Sequence, residues 1–286
     1  MQIAHSIEDL RRFLKPAKQR SFVPTMGNLH AGHLELVKVA KQTLSEATCV
    51  ASIFVNRLQF APHEDFDSYP RTFAKDCELL EAQGCDVVFA PQEKDLYPEP
   101  QVFKVHPPAE LADILEGAFR PGFFIGVSTV VHKLFNCVQP DVAVFGKKDY
   151  QQLMVIKRMA QQMALPIHIV GVDTLRADDG LALSSRNGYL SAEERARAVE
   201  LSGTLKHMVT SVRDKRSNLS GDATKVVAQI EDHAMQTLRD KGWQPDYMTV
   251  RHQHDLSTVT QFSDLPLVVL GAARLGSTRL IDNLEI

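Results

Sequence analysis

The sequence predicts an α/β fold, a doubly wound parallel sheet followed by a smaller α+β domain. Three observations lead there. Up to about residue 174, short apolar runs alternate with segments of helical periodicity, the pattern of βα units. A long polar connection, Leu175 to Tyr189, then breaks the alternation. Beyond it, two charged helical segments precede three strand-like runs. The expected boundaries are residues 1–174 for the first domain and 175–286 for the second.

The first βα unit is the most informative. Phe22-Val23 reads as the end of a strand, and Leu34 to Lys41 has helical periodicity. Between them, Gly27 marks a tight turn, and His30 and His33 stand three apart at the helix start. Thr48 to Val55 is a near-continuous apolar run, as in strands buried on both faces. A polar loop, Ala61 to Tyr69, leads to a helix that Pro70-Arg71 opens and Gly84 stops. Asp86 to Ala90 is the next strand. The five prolines between 91 and 108 predict an irregular excursion with a short strand near Val102–Val105. A helix at Ala109–Glu116, a loop from Arg120 to Gly126 and a helix from Val127 to Val138 should follow. Asp141 to Phe145 is a strand, then a helix reaches Ala164, and Ile167 to Val170 closes the sheet. In the second domain, Ser191 and Glu194 form a capping box for a helix to about Asp214. A linker near Ser217–Gly221 precedes a helix from Ala223 to Lys241. Strands are expected at Tyr247–Arg251, Leu265–Leu270 and Leu280–Leu284.

Composition narrows the function. With 44% hydrophobic and 23% charged residues over 286 positions, the chain is ordinary for a globular protein. A net charge of -3 gives no basic footprint for nucleic acid or membrane surfaces, so any anion site must be local. Cys49, Cys77, Cys85 and Cys137 are scattered, which suits reduced thiols better than disulfides or zinc. No apolar run approaches a membrane span, and the first nine residues carry acids unlike a signal peptide. A cytoplasmic protein is expected.

Several polar clusters follow strands. His30 and His33 follow the first, Asn56 and Gln59 the second, and Lys147, Lys148 and Asp149 the Asp141–Phe145 strand. In an open parallel sheet these lie outside the carboxyl ends, where ligands bind near the switch point. A helix N-terminus flanked by two imidazoles suits a polyphosphate. Ser184-Ser185-Arg186, at the start of the second domain, could close over the same cleft. Each cluster taken alone has a duller reading: a solvated helix start, a flexible linker, a turn. A metal pair at His30 and His33 lacks the further ligands zinc needs. Together, imidazoles, lysine, arginine, hydroxyls and a helix N-terminus suit a triphosphate whose transition state gains negative charge.

The segments PTMGNLHAGH, SIFVN, YPRT, FGKKDYQQL, LALSSRNGYL and RLGSTRLIDN, in this order along nearly the whole chain, resemble the pantothenate synthetases (pantoate–β-alanine ligases). That resemblance implies a Rossmann-like nucleotidyltransferase domain with a small C-terminal lid, a homodimer, and condensation of pantoate with β-alanine. ATP would be the energy source and Mg²⁺ its companion, with a pantoyl adenylate as intermediate and AMP and pyrophosphate as products. It also implies residue roles. Met26, Gly27, His30 and His33 match the ATP-binding H-x-G-H segment, with His33 in an acid role. Gly146, Lys148 and Asp149 match the G-[E/Q]-K-D element, and Lys148 is the phosphate lysine. Leu183, Ser184, Ser185 and Arg186 match the phosphate clamp, and Leu175 an adenine contact. His30, His33, Lys148 and Arg186 are thus the catalytic set, while Gln59 and Gln152, with Asn56, face pantoate or β-alanine. The metal's ligands stay open. The chain departs from the family pattern at Arg57, Phe123, Ile125 and Lys147. The main alternative is a nucleotidylyltransferase acting on another small carboxylate or phosphate. A nucleotide sensor and a tRNA-charging enzyme are less favoured, the latter because the chain is acidic and has no basic stripe.

Overall fold

In a computed structural model, which describes residues 1–60, 66–218 and 222–286, the chain divides into two compact units. One comprises Met1–Lys147 with Gln151–Asp173, the other Lys148–Tyr150 with Thr174–Ile286.

The first unit contains strands β1 (Gln2–Ala4), β2 (Arg20–Thr25), β3 (Thr48–Ile53), β4 (Val87–Phe89), β5 (Val142–Gly146) and β6 (His168–Val172). They form one sheet in the order β1-β4-β3-β2-β5-β6, every pairing parallel. From β2 the chain winds outward through β3 to β4, then crosses back to lay β5 beside β2. The switch point therefore lies between β2 and β5, and Thr25 and Gly146 end their strands at the same sheet edge. Helices α1 (Ile7–Leu14), α2 (Ala31–Thr43), α3 (Phe73–Ala82), α4 (Glu93–Leu96), α5 (Ala109–Ala112), α6 (Glu116–Phe119), α7 (Phe123–Val138) and α8 (Tyr150–Gln162) connect them. Two apolar clusters result. Phe22, Val50, Phe89, Leu134, Phe135 and Ile156 anchor one, and Val23, Val37, Ala51, Leu80 and Val144 the other.

Four expectations need correction here. The sixth strand is β1, not a segment near Val102–Val105, where no strand forms and Val102 and Phe103 are 78% and 88% exposed. Nothing apolar covers those side chains, so their β propensity is not supported by packing. The helix expected at Ala109–Glu116 is two single turns, separated where Leu115 takes φ 48°. Residues Phe123–Gly126 are the first turn of α7 rather than a loop. Helix α1 was not anticipated. Ser6 caps it by accepting from the Asp9 amide at 3.0 Å, acids fill its first turn, and Leu10 and Leu14 are buried.

The second unit holds helices α9 (Ala192–Arg197), α10 (Val199–Asn218) and α11 (Thr224–Asp240). Strands β7 (Gln244–His252), β8 (Leu267–Leu275) and β9 (Thr278–Glu285) form an antiparallel sheet. The Ser191–Glu194 capping box forms, but one long helix becomes α9 and α10. Leu201, Leu205, Leu238, Trp243 and Val269 centre this unit's core. The loop expected at Ala61–Tyr69 and the linker at Ser217–Gly221 fall partly outside the described residues. Among the described residues, no helix is long and apolar enough to cross a membrane.

Candidate functional site

The turn after β2 is built from backbone constraints. Gly27 has φ +81° and Asn28 φ 51°, left-handed conformations that glycine adopts freely and asparagine tolerates. A Cβ at Gly27 would also sit 3.0 Å from Asp76 Oδ2. Asp76, on α3 and 1% exposed, accepts from the Asn28 amide at 2.9 Å and the Leu29 amide at 2.8 Å. The Thr72 hydroxyl donates to it at 3.1 Å. One buried carboxylate thus holds the strained turn from outside, and three donors satisfy it. Sequence reasoning missed Asp76. The available signal was a charged residue in line with Leu80, four positions on, along the apolar stripe of a helix.

The turn delivers His30 to the N-cap of α2. His30 Nδ1 accepts from the Gly32 amide at 3.1 Å, and His33 Nδ1 accepts from the His30 amide at 3.3 Å. This is a capping box in which imidazoles replace hydroxyl and carboxylate. The ring centroids lie 4.1 Å apart. With each Nδ1 accepting, the geometry assigns the proton of each ring to Nε2. Both rings are therefore Nε2–H donors at the positive end of a 13-residue helix, an arrangement suited to an anion.

The turn after β3 is a second cluster in the same unit. Asn56, 1% exposed, donates from Nδ2 to Gln59 Oε1 at 3.1 Å and to the Gly126 carbonyl at 3.2 Å. The Tyr97 hydroxyl donates to Asn56 Oδ1 at 2.9 Å. Burial, and then the Glu93 charge, push the Tyr97 phenol up, so it keeps the proton it donates. Gln59 Nε2 in turn lies 3.1 Å from Met26 Sδ. Asn56 thus orients Gln59, and Gln59 reaches the β2 turn. Gly126 is what lets α7 come this close. A Cβ there would lie 2.2 Å from the Leu58 carbonyl oxygen. Gln59 also borders a cavity of about 300 Å³ with Lys104, His106 and Arg120 on its wall.

On α8 the two glutamines divide. Gln151 is buried and structural, donating to the Leu111 and Ile114 carbonyls at 2.8 Å each and accepting from the Glu116 amide at 2.9 Å. Gln152 is half-buried. Among the departures, Arg57 lies 3.9 Å over the Phe66 ring and 3.4 Å from Glu93. Lys147 pairs with Asp173 at 2.7 Å. Phe123 and Ile125 belong to the first turn of α7 and line the same cavity as Gln59.

The second unit carries the remaining residues. Leu175 and Leu183 are joined across a short hairpin, the Leu183 amide donating to the Leu175 carbonyl at 3.0 Å. Ser184 caps the 3₁₀ turn Ser185–Tyr189, its hydroxyl accepting from the Arg186 amide at 3.3 Å. Lys148 shares a crevice with Ala182, Ser184, Asn187 and Asp282, while Asp149 is exposed. The structure thus gathers Met26, Gly27, His30, His33, Asn56 and Gln59 in one unit. In the other it gathers Lys148, Leu175, Leu183 and Ser184.

A family model described as pantoate-beta-alanine ligase matches residues 2–285. The chain belongs to that family. A pantothenate synthetase of Leptothrix cholodnii is 59% identical over 293 residues, covering all of both chains. One of Verminephrobacter eiseniae is 59% identical over 290, again covering both entirely. Among solved structures, a pantothenate synthetase of Thermus thermophilus superposes with a TM-score of 0.87 at 41% identity, covering 99% of each chain. A pantoate-beta-alanine ligase of Francisella tularensis, complexed with β,γ-ATP and β-alanine, gives 0.76 at 32% identity, with 99% of this chain and 97% of that one covered. Membership makes the chain a ligase, and the fold expected from sequence, a Rossmann-like sheet with a smaller α+β part, is the one these relatives share.

Among the described residues, no group of three or more His, Cys, Asp or Glu side chains is placed to hold a metal ion. Mg²⁺ is ordinarily held by one or two carboxylates together with substrate phosphates, not by an all-protein cage.

Proposed function

We propose that this chain condenses pantoate with β-alanine at the expense of ATP, through a pantoyl adenylate, releasing AMP and pyrophosphate. The observation that carries the assignment of roles is the imidazole capping box, with two Nε2–H donors fixed at the start of α2. An oxygen of the pantoate carboxylate attacks the α-phosphorus, and the bond to pyrophosphate breaks. The amine of β-alanine then attacks the acyl carbon, loses a proton, and AMP departs.

Little covalent work falls to the protein, so positioning and charge stabilisation dominate. His30 and His33 donate to the phosphates. Lys148, Ser184, Ser185 and Arg186, in the second unit, add a cation, hydroxyls and a guanidinium for the charge that develops as pyrophosphate leaves. Met26, Gly27, Gly146, Asp149, Leu175 and Leu183 complete the ATP contacts. Gln59, oriented by Asn56, and Gln152 hold pantoate, and the basic wall of the cavity beside Gln59 suits a carboxylate. Mg²⁺ supplies charge neutralisation of the triphosphate when bound with it. The free cysteines fit a reducing cytoplasm, and a homodimer is the proposed assembly.

Pyrophosphate–ATP isotope exchange tests the reading. Exchange should require pantoate and proceed without β-alanine. Exchange that begins only when β-alanine is added would overturn the two-step mechanism.

A further inference from the structure

Near its end, strand β9 places three side chains within four positions that reach the segments bearing the second unit's proposed phosphate ligands. Asn283 Nδ2 donates to the Lys148 carbonyl at 2.9 Å, across 135 residues of sequence. Glu285 Oε1 accepts from the Tyr150 hydroxyl at 2.9 Å. Asn283 and Glu285 are two apart on a strand and face one way, so they fix both ends of the short Lys148–Tyr150 turn. Asp282 receives both guanidinium nitrogens of Arg176 at 2.8 Å each, a bidentate pair whose carboxylate is 3% exposed. Arg176 also donates to the Gly180 carbonyl at 3.0 Å and the Asn283 carbonyl at 3.2 Å. It thereby ties the hairpin between Leu175 and Leu183 to the same two residues.

We propose that Asp282 and Asn283 are positioning residues for the nucleotide phosphates. Asn283 fixes the backbone of Lys148, and Asp282, through Arg176, fixes the hairpin that carries Leu175, Leu183 and Ser184. Two segments far apart in sequence are then held by adjacent residues of one stiff strand. This explains why residues Lys148–Tyr150 pack with the second unit although only Lys147 separates them from β5. A lysine whose backbone is anchored loses less freedom when its ammonium meets phosphate, which is what preorganisation requires.

The inference rests on reading Lys148 as a phosphate ligand, so the test separates the two. In the full-length enzyme, Asn283→Leu and Asn283→Asp both remove the donor at similar volume. Pyrophosphate–ATP exchange and melting temperature are measured for each, for Lys148→Ala, and for the double variants. Lys148→Ala should lose about 10²–10³ in exchange turnover. The Asn283 variants, still folded, should lose about 10–100-fold. Because Asn283 acts through Lys148, each double variant should be no slower than Lys148→Ala alone, within about twofold. Losses that multiply, or Asn283 variants with wild-type exchange, would overturn the positioning role. So would loss of fold in both, which would leave Asn283 to stability alone. Wild-type exchange in Lys148→Ala would instead sink the ligand reading itself.

Discussion

In the first unit, ten consecutive residues, Pro24 to His33, bring both imidazoles to one helix terminus. In the second, the proposed ligands come from residue 148, residue 175 and residues 183–186, and long-range contacts to β9 secure the first two segments. The first arrangement is local, with each histidine satisfying an amide within three residues of itself. Asp76, 47 and 48 residues away, reaches in from outside to hold the turn's backbone. The second arrangement is long-range, with separations of 106 and 135 residues in its principal contacts. A local device tolerates change elsewhere in the fold. A long-range one fails when either end moves.

The largest effect should come from breaking the long-range device. Arg176→Ala leaves the Asp282 carboxylate buried without its partner, which should cost about 3–5 kcal/mol. Urea unfolding of the variant would show it, and an unchanged midpoint would mean that the hairpin holds without the pair. Next is the local device itself. His33→Ala should reduce adenylation by about 10²–10³ with little change in melting temperature. If His33→Ala instead melts well below wild type with normal turnover, its ring serves only the helix cap.

Asp76→Asn asks how far the local turn depends on its distant support. The amide keeps one acceptor but turns an NH₂ toward the other backbone donor, at a cost of about 1–3 kcal/mol. Melting should drop accordingly, and adenylation should fall because the turn that delivers His30 loosens. Adenylation equal to wild type in a destabilised variant would separate the turn from the chemistry.

The smallest effect is expected at Arg57. Its side chain is about half exposed, over Phe66 and beside Glu93, and such pairs contribute under about 1 kcal/mol. Asn56 already has φ −90° and ψ 110°, values that suit a residue before proline. Arg57→Pro should therefore gain about 0.4–1 kcal/mol from the unfolded chain and lose a similar amount of contact. Melting temperature and the pantoate KM should stay near wild type. A tenfold rise in that KM, in Arg57→Ala as well, would instead make the guanidinium a substrate contact.

The parallel sheet, its strands β2 to β6 and the histidine pair were legible because each is written in contiguous residues. Apolar runs define buried strands, and a strand–Gly–His-x-x-His–helix sequence defines the turn. Strand β1 was not, since three residues carry no usable period, and it is a strand only because β4 offers an edge. The exposed Val102–Phe103 segment failed in the opposite direction. Its composition suits a strand, yet among the described residues no strand pairs with it. The start of α7 was misplaced because Gly126, read as loop, is instead the glycine that admits the Leu58–Gln59 backbone.

By itself the sequence determined the family and the class of fold and proposed which residue types meet the nucleotide, because motif spacing and hydrophobic period are local properties of the chain. Only the tertiary structure decided that Asp76 supports the turn before His30, that Asn56 orients Gln59, and that Asp282 and Asn283 grip Arg176 and Lys148. These are hydrogen bonds between side chains and distant partners. Their strength depends on burial and on placement to a few tenths of an ångström, which a linear pattern does not encode.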